Sequence, residues 1–295
     1  MKYIFFGSPA FAATVLARLV AHGIPPVAVV SNPDRPTGRR QVLTPPAVKA
    51  IAAAGRIPVL QPEHLGTIHE ELAAFGADFF LVAAFGRIIP RSIFSMPPHG
   101  TVGIHPSLLP RHRGASPIQA AILTGEPATG VSLFMVDEQV DHGAVVAQRT
   151  LPLTGRETYP ELERSLAVLG ADLASDELPH FMSGKMKLTP QDHAAATFTK
   201  KFSAPDAFID PKDLEAALHD TDGAVARQVD RIVRALNPEP GAWTLRQSQA
   251  PSGAFDTVAG KPPVRMKILR TALDGTRLVL KEVQYEGRKS MVLSV

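Results

Sequence analysis

Apolar residues in the first 180 positions fall into two kinds of run. Short, nearly continuous runs at Lys2–Phe6, Pro26–Val30, Ile57–Leu60 and Asp78–Ala84 predict strands. The last of these, DFFLVAA, is unbroken enough for a strand buried on both faces. Between them, apolar residues recur every three and four positions. Ala10–His22 puts Phe11, Val15, Leu16 and Leu19 on one face, and Ala47–Ala54 and roughly His64–Phe75 read as further helices. Gly23 and Gly55 end the first two. Strand, helix, parallel strand is the opening unit of a doubly wound α/β sheet. Two more apolar strands follow, Val102–Ile104 running into His105 and Val131–Val136 running toward Asp141, with a helix predicted from near Ala115. Ala144–Leu153 predicts another strand. Thr158–Phe181 is a long helix with Leu162, Leu166, Leu169 and Leu173 on its buried side, closed by Ser183-Gly184.

The periodicity then stops. Lys185–Pro205 reads as a linker. Asp206–Leu236 predicts helix in two pieces with a break around Asp222-Gly223. The second piece carries Val225, Val229 and Ile232 on one face and Arg227, Arg231 and Arg234 as a basic stripe. From Ala242 the pattern turns to short alternating strands, Val264–Leu269, Arg277–Val283 and Lys289–Val295, which suggest a small β-barrel. Trp243 reads as its core anchor. The expected division is therefore residues 1–184, a linker over 185–205 and a second domain over 206–295.

Composition adds a few limits. Two domains suit 295 residues, of which 45% are hydrophobic and 20% charged, an ordinary globular balance. There is no cysteine, which excludes disulfides, thiolate metal sites and a cysteine nucleophile. No stretch approaches the roughly 20 apolar residues that span a bilayer. The apolar start is too short for a signal peptide. The expectation is a soluble, cytoplasmic protein with no membrane partner. Net charge is only +3, but residues 223–295 hold 12 Lys and Arg against 6 Asp and Glu. A basic C-terminal domain is one electrostatic footprint of nucleic acid.

The candidate chemistry lies in loops. Ser31–Pro46 has four prolines, three arginines and no periodicity, and a loop that long inside a domain is usually functional or disordered. It is either a solvated surface loop or an arm whose Arg35, Arg39 and Arg40 meet phosphates. Ligands bind beyond the carboxyl ends of strands in open α/β sheets. Phe85, Gly86, Arg87, Ile88 and Ile89 are thus candidates for a cleft wall, and equally for a plain strand-to-helix turn. No G-x-G-x-x-G, P-loop, G-x-S-x-G or histidine pair at metal spacing occurs. His105 and Asp141 remain. Each alone is satisfied by a structural role. Together they permit an aspartate-oriented imidazole able to stabilise an oxyanion or move a proton.

The segments GSPAFA (7–12), NPDRPTGR (32–39), VAAFGRIIP (82–90), IHPSLLPRHRGASPIQ (104–119), TGVSLFMVDEQVDHG (129–143) and RALNPEPGAW (234–243) together resemble the methionyl-tRNA formyltransferases, over nearly the whole chain. That resemblance implies a Rossmann-like formyltransferase domain followed by an OB-like β-barrel. It implies formyl transfer from 10-formyltetrahydrofolate to the α-amino group of methionyl-initiator tRNA. The expectation is a monomer, with no metal among the site residues. It places the catalytic histidine at His105 and the aspartate at Asp141. The folate segments fall on Ser107, Leu108, Leu109 and Pro110 and on Phe85 to Ile88. The tRNA-contacting loop falls on Arg39, with Arg35 and Arg40.

The resemblance breaks at Gly103, where the family has asparagine two residues before the histidine. An asparagine amide can donate to an oxyanion and glycine cannot. Loss of one such donor typically costs about 10²–10³ in rate. A water or a neighbour such as Gln119 taking over, and a slow enzyme, are the readings preferred to a chain that binds tRNA or folate without catalysis. An amino sugar nucleotide is the alternative acceptor. Gly103→Asn is the obvious probe.

Overall fold

All five residues of the first strand, β1 (Tyr3–Gly7), are buried, as an uninterrupted run predicts for a strand covered on both faces. The structure, a computed structural model, describes residues 1–38, 41–246 and 263–293. From β1 the chain passes through α1 (Ala10–Ala21), β2 (Ala28–Val30), β3 (Arg35–Thr37), β4 (Val42–Thr44), α2 (Ala47–Ala54), β5 (Val59–Leu60), α3 (His69–Ala74), β6 (Phe79–Ala83), α4 (Arg91–Phe94) and β7 (Thr101–His105). Then come β8 (Arg113–Gly114), α5 (Pro117–Thr124), β9 (Ala128–Met135), β10 (Val145–Pro152), α6 (Tyr159–Met182) and β11 (Phe198–Thr199). Among the described residues no helix is long and apolar enough to cross a membrane.

The chain divides into two units, one holding Met1–Pro117, Pro127–Leu153 and Pro160–Thr199, the other Ile118–Glu126, Thr154–Tyr159 and Lys200 onward. The first is a Rossmann-like α/β unit built on a seven-stranded sheet in the order β10-β9-β7-β6-β1-β2-β5. The inner strands are parallel, while β9 and β10 are antiparallel to their neighbours, so the sheet is mixed. Sequence order reverses between β1 and β6, the position where open α/β sheets form a crevice at their carboxyl edge. Register brings the strand ends level there: Gly7 lies opposite Ala83, and Ala83 opposite Ile104. Gly7 has a steric reason. A Cβ there would meet the Ala12 Cβ at 2.6 Å and the Ala83 carbonyl at 2.9 Å, so glycine lets α1 start hard against the strand ends.

The apolar face predicted for α1 is buried, Phe11, Val15, Leu16 and Leu19 included. The other face of the sheet holds Ile4, Phe6, Val30, Phe80 and Phe85 in one cluster. Each such side chain contributes roughly 1.5–3 kcal/mol by leaving water. Arg18 of α1 and Asp172 of α6 form a bidentate pair at 2.7 and 3.3 Å, and its hydrogen bonds from Arg18 hold the Asp172 carboxyl below the usual range.

The loop expected over 31–46 contains a small hairpin instead. β3 and β4 pair with Arg35 opposite Thr44 and Thr37 opposite Val42. Both strands are exposed throughout, so neither alternates apolar with polar, and periodicity had nothing to report. Asp34 at its base accepts both oxygens' worth of contact from Lys49 and is bonded by Gln61; those bonds hold its carboxyl below the ordinary value.

The second unit is a helix pair packed on an antiparallel sheet. α7 (Pro211–Leu218) and α8 (Ala224–Leu236) pack on β12 (Trp243–Arg246), β13 (Val264–Asp274) and β14 (Arg277–Tyr285), and exposed β15 (Met291–Val292) pairs with β14 at the edge. Leu214, Val229, Val233, Met266, Ile268 and Val283 lie in its core. The break between the helices is real, with Gly223 left-handed at φ 80°. Arg234 does not belong to a free basic stripe. Its guanidinium pairs with buried Asp230 at 2.7 Å, and Asp230 also accepts from Thr271 at 2.7 Å. Trp243 is half-buried rather than central, with Arg265 4.2 Å over its ring and Phe208 4.7 Å away.

Candidate functional site

His105 is the last residue of β7 and is 5% exposed. Its Nε2 lies 2.9 Å from the His112 carbonyl, which can only accept, so Nε2 carries a hydrogen. Its Nδ1 lies 3.5 Å from Asp141 Oδ2. The two residues singled out from sequence thus share one corner of the sheet, 36 positions apart in the chain. The Nε2 hydrogen can pass to a substrate oxygen by exchange with the His112 carbonyl, while Nδ1 faces the Asp141 carboxylate.

A backbone N–H holds the same Asp141 oxygen that faces His105. Oδ2 accepts from the Gly114 backbone N–H at 2.8 Å. Its backbone is left-handed, φ 49°, a region that aspartate tolerates better than most residues. Its neighbour His142 donates from Nδ1 to Asp137 Oδ2 at 2.7 Å.

The loop leaving His105 is pinned to β9 and β10. Ser132 Oγ donates to the Ser107 carbonyl at 2.7 Å and accepts from the Leu109 N–H at 3.0 Å. Gln148 Nε2 donates to the Leu109 carbonyl and to Ser132 Oγ, both at 2.8 Å. Ser107 and Leu109 are buried in this scaffold, whereas Leu108 and Pro110 are partly exposed. Ser107 itself donates to the Arg111 carbonyl at 2.6 Å.

The loop after β6 lies beside it at the same sheet edge. Phe85 belongs to the core, edge-on to Phe6 at 5.5 Å, and its carbonyl accepts from Asn32 Nδ2 at 3.2 Å. Arg87 turns back to donate to the carbonyls of Pro62 and Glu63. Gly86 is left-handed with open space where a Cβ would stand. Ile88 is 93% exposed, and Val140, on the loop that carries Asp141, is 66% exposed.

Gly103 is closed in rather than open. It pairs with Phe134 of β9, and a Cβ on Gly103 would meet Phe134 Cε1 at 2.4 Å and Cζ at 2.6 Å. The same ring stands edge-on to His105, 6.3 Å between centroids at 86°. The place of the missing side chain is taken by a phenyl ring, so a lone Gly103→Asn substitution would not simply restore an amide.

Arg35 is exposed on the hairpin. Arg39 and Arg40 lie outside the described residues. Three residues at the centre were not singled out from sequence: Phe134, Arg113 and Gln191. Arg113 and Gln191 are both buried. Phe134 and Arg113 fall inside segments that carry the family resemblance but received no role of their own, and Gln191 lies in a stretch without periodicity, where no local signal marks it.

Comparison with known proteins bears on what such a site does. Residues 1–177 match the family model described as formyl transferase. A methionyl-tRNA formyltransferase from Chloroflexus aurantiacus is 39% identical over 99% of this chain and 94% of its own length. Among solved structures, a methionyl-tRNA formyltransferase from Clostridium thermocellum superposes with a TM-score of 0.58 at 17% identity, covering 97% of this chain and 98% of that one. HypX from Aquifex aeolicus, solved with tetrahydrofolic acid, gives 0.62 at 18% identity over 99% of this chain and 46% of its own.

Proposed function

The chain belongs to the methionyl-tRNA formyltransferases, within the formyl transferase family, and we infer from that membership that it transfers a formyl group from 10-formyltetrahydrofolate to the α-amino group of methionyl-initiator tRNA. The observation that supports the assignment of roles is the approach of His105 to Asp141, 3.5 Å apart at the carboxyl edge of the sheet.

His105 is the oxyanion donor and Asp141 orients its ring. Attack of the amine on the formyl carbon puts negative charge on the formyl oxygen, and a preorganised donor there contributes about 2.7–4 kcal/mol to the rate. Gly114, by donating to Asp141, keeps the carboxylate in place. With the Phe134 ring over Gly103, the side chain at 103 has no part in binding the oxygen.

The donor's flat pterin ring needs accessible backbone and apolar cover. The Phe85, Gly86, Arg87 and Ile88 loop fits this, with Gly86 open and Ile88 exposed. The Ser107, Leu108, Leu109 and Pro110 segment supplies the neighbouring wall, with Leu108 and Pro110 partly exposed and Ser107 and Leu109 holding the loop from within, and when bound the donor supplies the activated formyl carbon. Arg35, Arg39 and Arg40 contact tRNA phosphates. Residues 1–184 bind folate and carry the reacting side chains, 185–205 lead on to the second domain after packing along the site at 189–199, and 206–295 close into an OB-like barrel that binds tRNA. The protein works in the cytoplasm as a monomer.

The test is a transfer assay with charged initiator tRNA, in which the chain forms formyl-methionyl-tRNA. Absence of product with intact tRNA and folate binding would overturn the reading.

A further inference from the structure

Residues 189–199 cross both loops of the site. Thr189 exchanges two backbone hydrogen bonds with Val145, at 2.8 and 2.9 Å. At the far end β11 runs parallel to β8, with Phe198 opposite Arg113 and Thr199 opposite Gly114. Thr197 accepts the Arg113 N–H on its carbonyl at 2.8 Å and the His112 N–H on its hydroxyl at 2.8 Å. Thr199 Oγ1 donates to the Arg113 carbonyl at 3.1 Å and accepts from the Ser116 N–H at 3.0 Å.

Between these anchors sits Gln191, 7% exposed. Its Oε1 accepts from Arg113 at 3.1 and 2.7 Å. Its Nε2 donates to the carbonyls of Asp141 at 3.0 Å and Gly143 at 2.7 Å. One amide therefore ties β8, which carries Arg113, to the loop after β9, which carries Asp141. His193, two residues on, accepts from Arg113 on Nδ1 at 2.8 Å and stacks on His142 at 4.1 Å, the planes 4° apart. Asp141 is thus gripped through its own carbonyl, through Gly143 and through His142, while its carboxylate meets Gly114 and His105.

We propose that Gln191 is a positioning residue for formyl transfer, fixing the left-handed Asp141 backbone so that its carboxylate faces His105. The proposal rests on the formyl-transfer reading of the site. Gln191 touches neither His105 nor the reacting atoms; it acts through Arg113 and the 141–143 backbone. A displacement of about 1 Å in a reacting group is enough to cost about 10²-fold in rate.

Gln191→Glu keeps an acceptor for Arg113 but turns an oxygen toward two carbonyl oxygens. Gln191→Ala removes both ends of the tie. Steady-state transfer is measured for wild type and both variants, per folded chain as determined by circular dichroism. The expected result is a kcat about 10- to 100-fold lower with KM for donor and for charged tRNA within about twofold, in Gln191→Glu as well as Gln191→Ala. A kcat within about twofold of wild type, a loss confined to KM, or an activity that merely follows the folded fraction overturns the role. A wild-type chain without transfer overturns the formyl-transfer reading, and the positioning role with it; an active wild type with unaffected variants overturns the role alone.

Discussion

The phenyl ring of Phe134 occupies the space in which a side chain on Gly103 would begin, with Cε1 2.4 Å from the site of a Cβ. The two positions face each other across β7 and β9, so a change at one is felt at the other. Gly103→Asn alone must push the ring away, and overpacking of this kind costs about 1–3 kcal/mol. The expected result is a lower thermal midpoint and no gain in transfer rate. Phe134→Leu removes the ring atoms that clash. In the double variant the destabilisation should be less than the sum of the two singles by at least about 0.5 kcal/mol, the scale of coupling between residues in contact. Thermal unfolding of the four proteins measures it. Strict additivity, or a Gly103→Asn variant as stable as wild type, would show that the ring does not constrain position 103.

The exposed hairpin offers Arg35 to solvent, beside Arg39 and Arg40 in sequence. Phosphate contacts release counterions, so each one lost should flatten the slope of log affinity against log salt by about 0.7–0.9. Alanine at Arg35, Arg39 and Arg40 together should weaken tRNA binding, steepest at low salt, while kcat at saturating tRNA stays within a few-fold. Filter binding across a salt series reads this directly. An unchanged slope would remove the hairpin from the tRNA interface.

Asp220 accepts the Ala226 N–H at 2.9 Å at the start of α8. That backbone bond is the main cause that brings its carboxyl down from 3.8 to about 2. A carboxylate depressed in the folded state adds stability that is present above its unfolded value and lost as pH falls through the folded one. The window here runs from about pH 4 down to about pH 2. Wild type should exceed Asp220→Asn in thermal midpoint at neutral pH, and the gap should close across that window. A gap independent of pH would mean the charge plays no part.

Much of the first unit is legible in sequence because its inner strands β1, β2, β6 and β7 are buried on both faces and its helices on one. β1 and β6 read as apolar runs, and α1 shows its core residues at helical spacing. The hairpin is illegible for the converse reason: β3 and β4 bury neither face. His105 and Asp141 were legible as polar residues at strand ends, where α/β sheets place ligands. Gln191 was not, because its meaning lies in two carbonyls some fifty residues away. Gly103 was visible as a departure from the family pattern, yet only the cross-strand register reveals that Phe134 fills its place. The same holds for Arg234, whose helical spacing suggested a free basic stripe until Asp230 was seen to pair with it.

The central claim is that His105, oriented by Asp141, carries formyl transfer. The direct measurement is single-turnover formylation of methionyl-initiator tRNA by wild type, His105→Ala and Asp141→Asn at saturating donor and tRNA. Wild type should form product, and His105→Ala should be slower by about 10²–10³, the loss typical of one oxyanion donor. Asp141→Asn should also fall, with tRNA and folate affinities little changed in both variants. Equal rates in wild type and His105→Ala, with the protein folded, would contradict the claim.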